Sequence, residues 1–425
     1  MNLKGINVLV DGYNIELAKG TGIKTYGISL TQALNLLEAN VDVLFSRSSS
    51  SSDPILNEVL FFDNQNGSFD KISLLKAMAK GVSGFFKARR IEPSELIIKS
   101  EFNNQFINSI GILNLKACYL VANTLHKNFR LKTEITTPKK IDIWHSTYPL
   151  PIKIRGAKKL TTIHDLIPLR LPYTTLDNKK TFYSIIKDSI KDSQLIITVS
   201  ENSKEDILNI FNVAQDKVHV TYQPIVLNPF MIEEDKIATF LKRHKIKVQK
   251  YILFVGAIEP KKNLGRLIDA YAEIDTDMPL VIVGKKGWLW EGEIGKLEAI
   301  FGKNFPRKVK ILDYVSNTDL KYFYLGAYCL VFPSLYEGFG LPPLEAMNFG
   351  CPVITSNVAS LPEICGDAAL YVNPYDVDDI RKKIEELINY PQIRAKLSEA
   401  GRERVKLFSM DNYVNKLYKA YQKIL

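Results

Sequence analysis

The stretch Leu330–Ile354, LVFPSLYEGFGLPPLEAMNFGCPVI, decides the fold. Cys329 to Phe332 is a short apolar run of the kind found in a parallel strand covered on both faces. Gly338 and Gly340 then let the chain turn tightly and approach a ligand. Pro342 and Pro343 stand where a helix can spare its first N–H groups, so a helix is predicted from about Leu341. Gly350 and Pro352 stop it, and a second buried strand follows. Free N–H groups at Gly338, Phe339 and Gly340 would point at whatever sits above the helix start, a natural seat for a phosphate or an oxyanion. Glu337, just before the turn, and Glu345, in the second helical turn, frame that seat.

The same alternation surrounds this unit. Tyr251–Val255, Leu280–Val283, Val309–Leu312, Pro352–Thr355 and Leu370–Val372 read as further strands with helices between. The turn Gly256-Ala-Ile-Glu-Pro-Lys-Lys-Asn263 precedes a helix with Leu264, Leu267, Ile268 and Tyr271 on one face, and Asn263 is expected to cap it. Lys261 and Lys262 then lie beside the glycine turn. They read either as a diphosphate clamp or as a solvated pair. Asp275-Thr-Asp277 and Asp376-Val-Asp378 match a D-x-D pattern but are better read as turn and cap chemistry, so no metal site is expected.

Towards the N-terminus, Ile6–Val10 is a strand, followed by a glycine-rich loop at Lys19–Gly27 and a helix through Leu30, Leu34 and Leu37. The loop lacks the Lys-Ser/Thr of a Walker A motif, and Thr25 replaces the third glycine of a dinucleotide fingerprint. Two strands end in histidine, at Ile141–His145 and Lys159–His164. Such ends line the crevice of a parallel sheet, and Asp165 beside His164 makes His164 the stronger candidate. Leu195–Val199 and Val218–Tyr222 complete the first series, with Ser200 or Ser203 as a helix cap. Ser46 to about Lys140 reads as irregular. Within it Lys71–Arg90 holds six basic and no acidic residues among apolar ones. It admits two readings: an amphipathic segment on an anionic membrane, or a helix packed on its own domain.

A chain of 425 residues suggests two domains. The boundaries read as 1–226, a linker at 227–249, and 250–408. A last helix at 409–425 carries Val414, Leu417, Tyr418, Tyr421 and Leu425, a face that needs a partner surface; packing back on the first domain would supply one. With 46% apolar and 24% charged residues the chain is globular. No apolar run is long enough to span a membrane, and the N-terminal one is too short for a signal peptide. Four scattered cysteines have no metal spacing and suit a reducing compartment. Of the net charge of +10, about +7 falls before residue 227, where 28 Lys and Arg face 21 Asp and Glu. That excess suits an anionic partner or plain solubility. Nucleic acid is disfavoured, because no basic motif is interleaved with aromatics.

Glu337-x7-Glu345 around Gly-Phe-Gly, the turn Gly256-x3-Pro-Lys-Lys262-Asn and the N-terminal Gly-Thr-Gly resemble the family 4 retaining glycosyltransferases of the GT-B fold. The resemblance is strongest over Tyr251–Pro374, returns at Thr161–Pro168 and Val199–Glu205, and is poor from Ser46 to Lys140. It implies two Rossmann-like parallel-sheet domains facing a cleft, the first for the acceptor and the second for a nucleotide sugar. It further implies that Glu345 binds the ribose hydroxyls and Glu337 meets the donor sugar. Gly338, Phe339, Gly340 and Leu341, with Lys262 and Gly22, would hold the diphosphate, and His164 would contact the transferred sugar. Many relatives carry arginine where Ala257 stands, a charge that Lys261 would supply here. The implied donor is a GDP- or UDP-linked sugar, by analogy mannose, handled without cofactor or metal. The implied acceptor is a saccharide or a lipid-linked oligosaccharide of surface polysaccharide synthesis. The protein would then be cytoplasmic, peripheral at the inner membrane face. A nucleotide-sugar epimerase and a catalytically silent nucleotide-sugar-binding subunit are the alternatives.

Overall fold

The computed structural model describes residues 2–17, 22–49, 51, 53–63, 71–97, 104–225, 233–313 and 315–425. Parallel strands organise both halves of the chain. The first half contains β1 (Asn7–Asp11), β2 (Asn40–Phe45), β3 (Phe86–Lys87), β4 (Arg89–Ile91), β5 (Gly111–Asn114), β6 (Thr133–Thr136), β7 (Ile143–Ser146), β8 (Ile152–Ile154), β9 (Lys158–Thr162), β10 (Leu195–Thr198) and β11 (Val218–Val220). Eight of them form one sheet in the order β11-β10-β9-β7-β1-β2-β5-β4, parallel except for β4 at the edge. A small sheet of β3, β6 and β8 stands apart.

In the second half, β12 (Ile252–Val255), β13 (Leu280–Val283), β14 (Val309–Leu312), β15 (Cys329–Phe332), β16 (Val353–Ser356) and β17 (Ala369–Val372) form a six-stranded parallel sheet. Its order is β14-β13-β12-β15-β16-β17. Strand order reverses between β12 and β15, and between β1 and β7 in the first sheet. Ligands of such sheets bind in the crevice at the carboxyl ends of the strands where the order reverses. Every residue of β12 and β15 is buried, as expected for strands covered by helices on both faces.

The helices that matter for the site are α1 (Gly22–Leu36), α2 (Lys71–Ser83), α3 (Cys118–Phe129), α4 (Glu201–Phe211), α5 (Leu264–Ala272), α6 (Asn317–Gly326), α7 (Leu341–Asn348) and α8 (Met410–Gln422). The stretch from Ser46 to Lys140 is more regular than its sequence suggests, and Lys71–Arg90 is not one amphipathic helix. Gly84, at φ +75°, ends that helical stretch, and the remaining basic residues enter β3 and β4. Leu74, Ala77 and Met78 pack on the core around α3, while Leu75, Val82 and Phe85 are exposed.

The chain crosses between the sheets twice. Near these crossings the Ile225 N–H donates to Phe408 O at 3.0 Å. Tyr222, Phe339 and Phe408 form a ring cluster there, with centroids 5.7–6.4 Å apart. α8 then returns to the first domain and packs on α1. Ser409 caps it by accepting from the Asn412 N–H at 3.2 Å. Its buried residues are Tyr413, Leu417, Ala420 and Tyr421, whereas Leu425 is exposed. The buried face is thus rotated from the expected one. Tyrosine hydroxyls set it: Tyr421 Oη lies 2.7 Å from His145 Nδ1, whose Nε2 is 2.9 Å from Thr162 Oγ1. Burial, with a smaller effect of His164, depresses the His145 pKa to about 3, so this histidine is a neutral pin between β7 and α8.

Candidate active site

The glycine turn after β15 is built as a row of bound carbonyls and free amides. Ser360 Oγ lies 2.9 Å from Glu337 O and 2.8 Å from Phe339 O, its one proton shared between them. Ser200 Oγ donates to Gly338 O at 2.7 Å, and Ser203 Oγ lies 3.3 Å from the same oxygen. Among the described residues, the N–H groups of Gly338, Phe339, Gly340 and Leu341 meet no acceptor. Residues 338–340 are nevertheless buried. Buried amides without a partner are rare, and a helix start is where an anion satisfies them. Gly340, at φ +116°, is the cap position of α7, and a Cβ there would lie 2.9 Å from Leu361 Cδ2. Glycine is therefore required on both backbone and steric grounds.

Lys262 and Glu337 meet directly, with Nζ 2.5 Å from Oε1. Ser334 Oγ donates to the same oxygen at 2.5 Å. Burial pushes the Glu337 carboxyl up, but Lys262, Lys261 and the two hydrogen bonds outweigh it, and the net shift is downward. Glu337 is therefore an ionised carboxylate in a nearly dry place. Lys261 Nζ lies 3.4 Å from Glu259 Oε1. Burial lowers its pKa, but Glu337, Glu259 and Asp165 raise it further, so the charge is kept. Glu345 differs. It is half-buried, and Tyr324, buried on α6, donates to its Oε2 at 2.9 Å. Burial raises its carboxyl above the ordinary range, with only that hydroxyl opposing.

Asn263 is not a side-chain cap. It sits at the cap position in the left-handed region, φ +59°, and its Nδ2 donates to Pro333 O at 2.9 Å and Pro374 O at 2.6 Å. It thus clamps the lysine turn to the glycine turn. Leu335 N–H adds a bond to Lys261 O at 2.8 Å.

The first domain lies directly over the glycine turn. A Cβ on Gly338 would fall 2.7 Å from His164 O and 2.8 Å from Asp165 Cβ. His164 donates from Nε2 to Thr147 O at 2.9 Å, and Tyr26 packs edge-on against its ring at 4.8 Å. Burial lowers its pKa, partly offset by Asp165 and Thr147, so the ring is neutral with the proton on Nε2. A Cβ on Gly22 would lie 3.3 Å from Leu341 Cδ1, so the starts of α1 and α7 face each other. Lys19, Gly20 and Thr21 of the expected glycine loop lie outside the described residues. All the candidate residues therefore gather at one crevice: Gly22 and His164 from one side, Lys261, Lys262, Glu337, the Gly338–Leu341 turn and Glu345 from the other. A recess lined by Asp235, Phe240, Arg243 and Tyr322 lies elsewhere and contains none of them. Sequence reasoning missed Ser360, Ser334, Tyr324 and Thr147. Each is an ordinary polar residue whose role exists only through a partner distant in the chain. Ser200 and Ser203 were legible only as helix caps.

The family described as glycosyl transferases group 1 matches residues 236–404, and glycosyltransferase family 4 matches residues 105–228. The O-antigen chain mannosyltransferase B of Escherichia coli is 34% identical over 291 residues, covering 66% of this chain and 74% of that protein. The chain belongs to the group 1 glycosyl transferases. This glycosyltransferase shares its two-sheet GT-B fold with sucrose-phosphate synthase of Thermosynechococcus elongatus, at TM-score 0.69 and 18% identity over 99% of both chains. It likewise resembles HepE of Anabaena, solved with UDP and glucose, at TM-score 0.67 and 14% identity over 98% of this chain and all of that one. Among the described residues no group of three or more His, Cys, Asp or Glu is arranged to hold a metal ion. No helix among them is long and apolar enough to cross a membrane.

Proposed function

We propose that this glycosyltransferase moves a hexosyl residue, mannose in the reading favoured here, from a GDP- or UDP-linked donor to a saccharide or lipid-linked acceptor, with retention of configuration. One observation carries it: a buried turn whose carbonyls are bound and whose amides meet no acceptor among the described residues, beside the Lys262–Glu337 pair. The amides of Phe339 and Gly340 and the Lys262 ammonium suit a diphosphate, with Lys261 as the second cation and Gly22 facing it across the crevice. Glu345 suits the ribose hydroxyls, which donate to a carboxylate well. Mannose and O-antigen assembly come from the name of the Escherichia coli relative, and HepE was solved with UDP.

In this reading the bond from the sugar C1 to the diphosphate oxygen breaks, and the acceptor oxygen forms a bond to C1 on the same face. The acceptor proton passes to the departing phosphate oxygen, and the nucleoside diphosphate leaves. Amides and Lys262 stabilise the charge that develops on the leaving oxygen. The ionised Glu337 holds the sugar, and neutral His164 meets it from the first domain, its Nδ1 lone pair free to accept from a hydroxyl. A thermal-shift panel of nucleotide sugars tests this. One GDP- or UDP-linked sugar should raise Tm by several degrees. No shift with any of them would refute the reading.

A further inference from the structure

We propose that Ser200 and Ser203 of the first domain orient the middle amide of the anion seat on the second. The donor diphosphate is then fully recognised only when the domains are closed. This rests on the nucleotide-sugar reading above. A planar trans peptide couples the carbonyl of one residue to the N–H of the next, pointing opposite ways. Fixing Gly338 O therefore fixes the Phe339 N–H. The flanking planes are fixed by Ser360, which bonds Glu337 O and Phe339 O from within the second domain. The middle plane is different. Among the described residues, its carbonyl is held only by the two first-domain serines, Ser200 at 2.7 Å and Ser203 at 3.3 Å. Glycine at 338 leaves that plane free to rotate once the hydroxyls withdraw.

The serines are themselves anchored. Ser200 Oγ accepts from the Ser203 N–H at 3.1 Å as the cap of α4, and Ser203 Oγ also reaches His164 O at 3.0 Å. Glu363, from the second domain, accepts from the N–H groups of Glu201 at 2.7 Å and Asn202 at 3.1 Å. Tyr336, also of the second domain, donates to Asn202 Oδ1 at 2.9 Å. The first turn of α4 is thus docked on the second domain at three points, and one of them is the anion seat. Opening the cleft breaks all three, so one amide of the seat reports closure.

The test separates hydroxyl donation from helix capping. Ser200→Asp keeps an acceptor for the Ser203 N–H but has no proton for Gly338 O. Ser203→Ala removes the second hydroxyl and leaves the cap. Ser200→Thr keeps both functions. Binding of GDP and UDP is measured by calorimetry, with guanosine and uridine as phosphate-free competitors and melting curves as controls. Expected is a loss of about tenfold or more in diphosphate affinity for Ser200→Asp and for the double variant, Ser200→Asp with Ser203→Ala. Nucleoside affinity should stay within about twofold, and Ser200→Thr should restore the parent value. Equal losses for nucleoside and diphosphate would show a merely structural role and overturn the proposal. So would unchanged diphosphate affinity in the double variant, or failure of Ser200→Thr to rescue. Binding of neither GDP nor UDP by the parent is a separate result, and it removes the nucleotide-sugar reading itself.

Discussion

Glu337 and Glu345 belong to one short stretch yet are pushed in opposite directions. Lys262, Lys261 and Ser334 keep Glu337 ionised despite its burial. Its contribution to stability is therefore present above the ordinary carboxylate range, about pH 4, and is lost as pH falls through its lower folded pKa. Glu345 has a raised carboxyl, so ionising it costs the fold as pH rises, and ligand hydroxyls would relieve that cost. Nucleoside diphosphate affinity should then fall on acidification as Glu345 takes up a proton, and this fall should begin at a higher pH than an ordinary carboxylate would give. Titrations of the parent and of Glu345→Gln check this, since the variant should lose the part of the pH slope that phosphate ionisation does not explain. Glu337→Gln should lower kcat by about a hundredfold or more while GDP or UDP binding is kept or tightened, because Lys262 is released from its carboxylate. Lys262→Met should do the reverse and weaken diphosphate binding first. Steady-state kinetics with calorimetry distinguishes the two.

At the scale of elements, the strand–turn–helix unit was legible because its constraints are local. Apolar runs, two prolines and two required glycines fix β15, the turn and α7 with little help from elsewhere. Non-local partners were not legible. Asn263 has the residue type of a cap, but a left-handed backbone turns its amide to Pro333 and Pro374. Ser360 lies more than twenty residues from the carbonyls it binds, and Ser200 in the other domain. The run Lys71–Arg90 has a helical charge pattern, yet β6 and β5 recruit its second half as β3 and β4. Gly338 belongs to both classes. Its type marks a turn, but only the structure places His164 and Asp165 against it. Gly338→Ala should wedge the domains apart. The expected outcome is a larger radius of gyration in solution and activity reduced about a hundredfold or more, with melting of the second domain little changed. An unchanged radius with normal turnover would contradict the packing.

Over the whole molecule, the two parallel sheets follow from the alternation of strands and helices and the crevice from the family resemblance, whereas the strand order is set by long-range pairing that the sequence does not display. The apolar face of α8 asks for a partner surface and the first domain supplies it, but the sequence does not mark Tyr413 and Ala420 as part of that face. The pin from Tyr421 to His145 joins the end of the chain to the first sheet, so residues on either side of both crossings share one body. We propose that the exposed Leu75, Val82 and Phe85, near Lys76 and Lys80, would suit an anionic lipid surface. Flotation with vesicles containing phosphatidylglycerol should retain the protein, and neutral vesicles should retain it less. Equal behaviour would remove membrane docking without touching the chemistry. The chemistry has its own test. The enzyme is given the nucleotide sugar that stabilises it, with an α-linked sugar and an acceptor saccharide, and the new anomeric proton is read by NMR. Retention predicts an α-glycoside, formed only while Glu337 is present. A β-glycoside, or an α-glycoside made at normal rate by Glu337→Gln, would contradict the account.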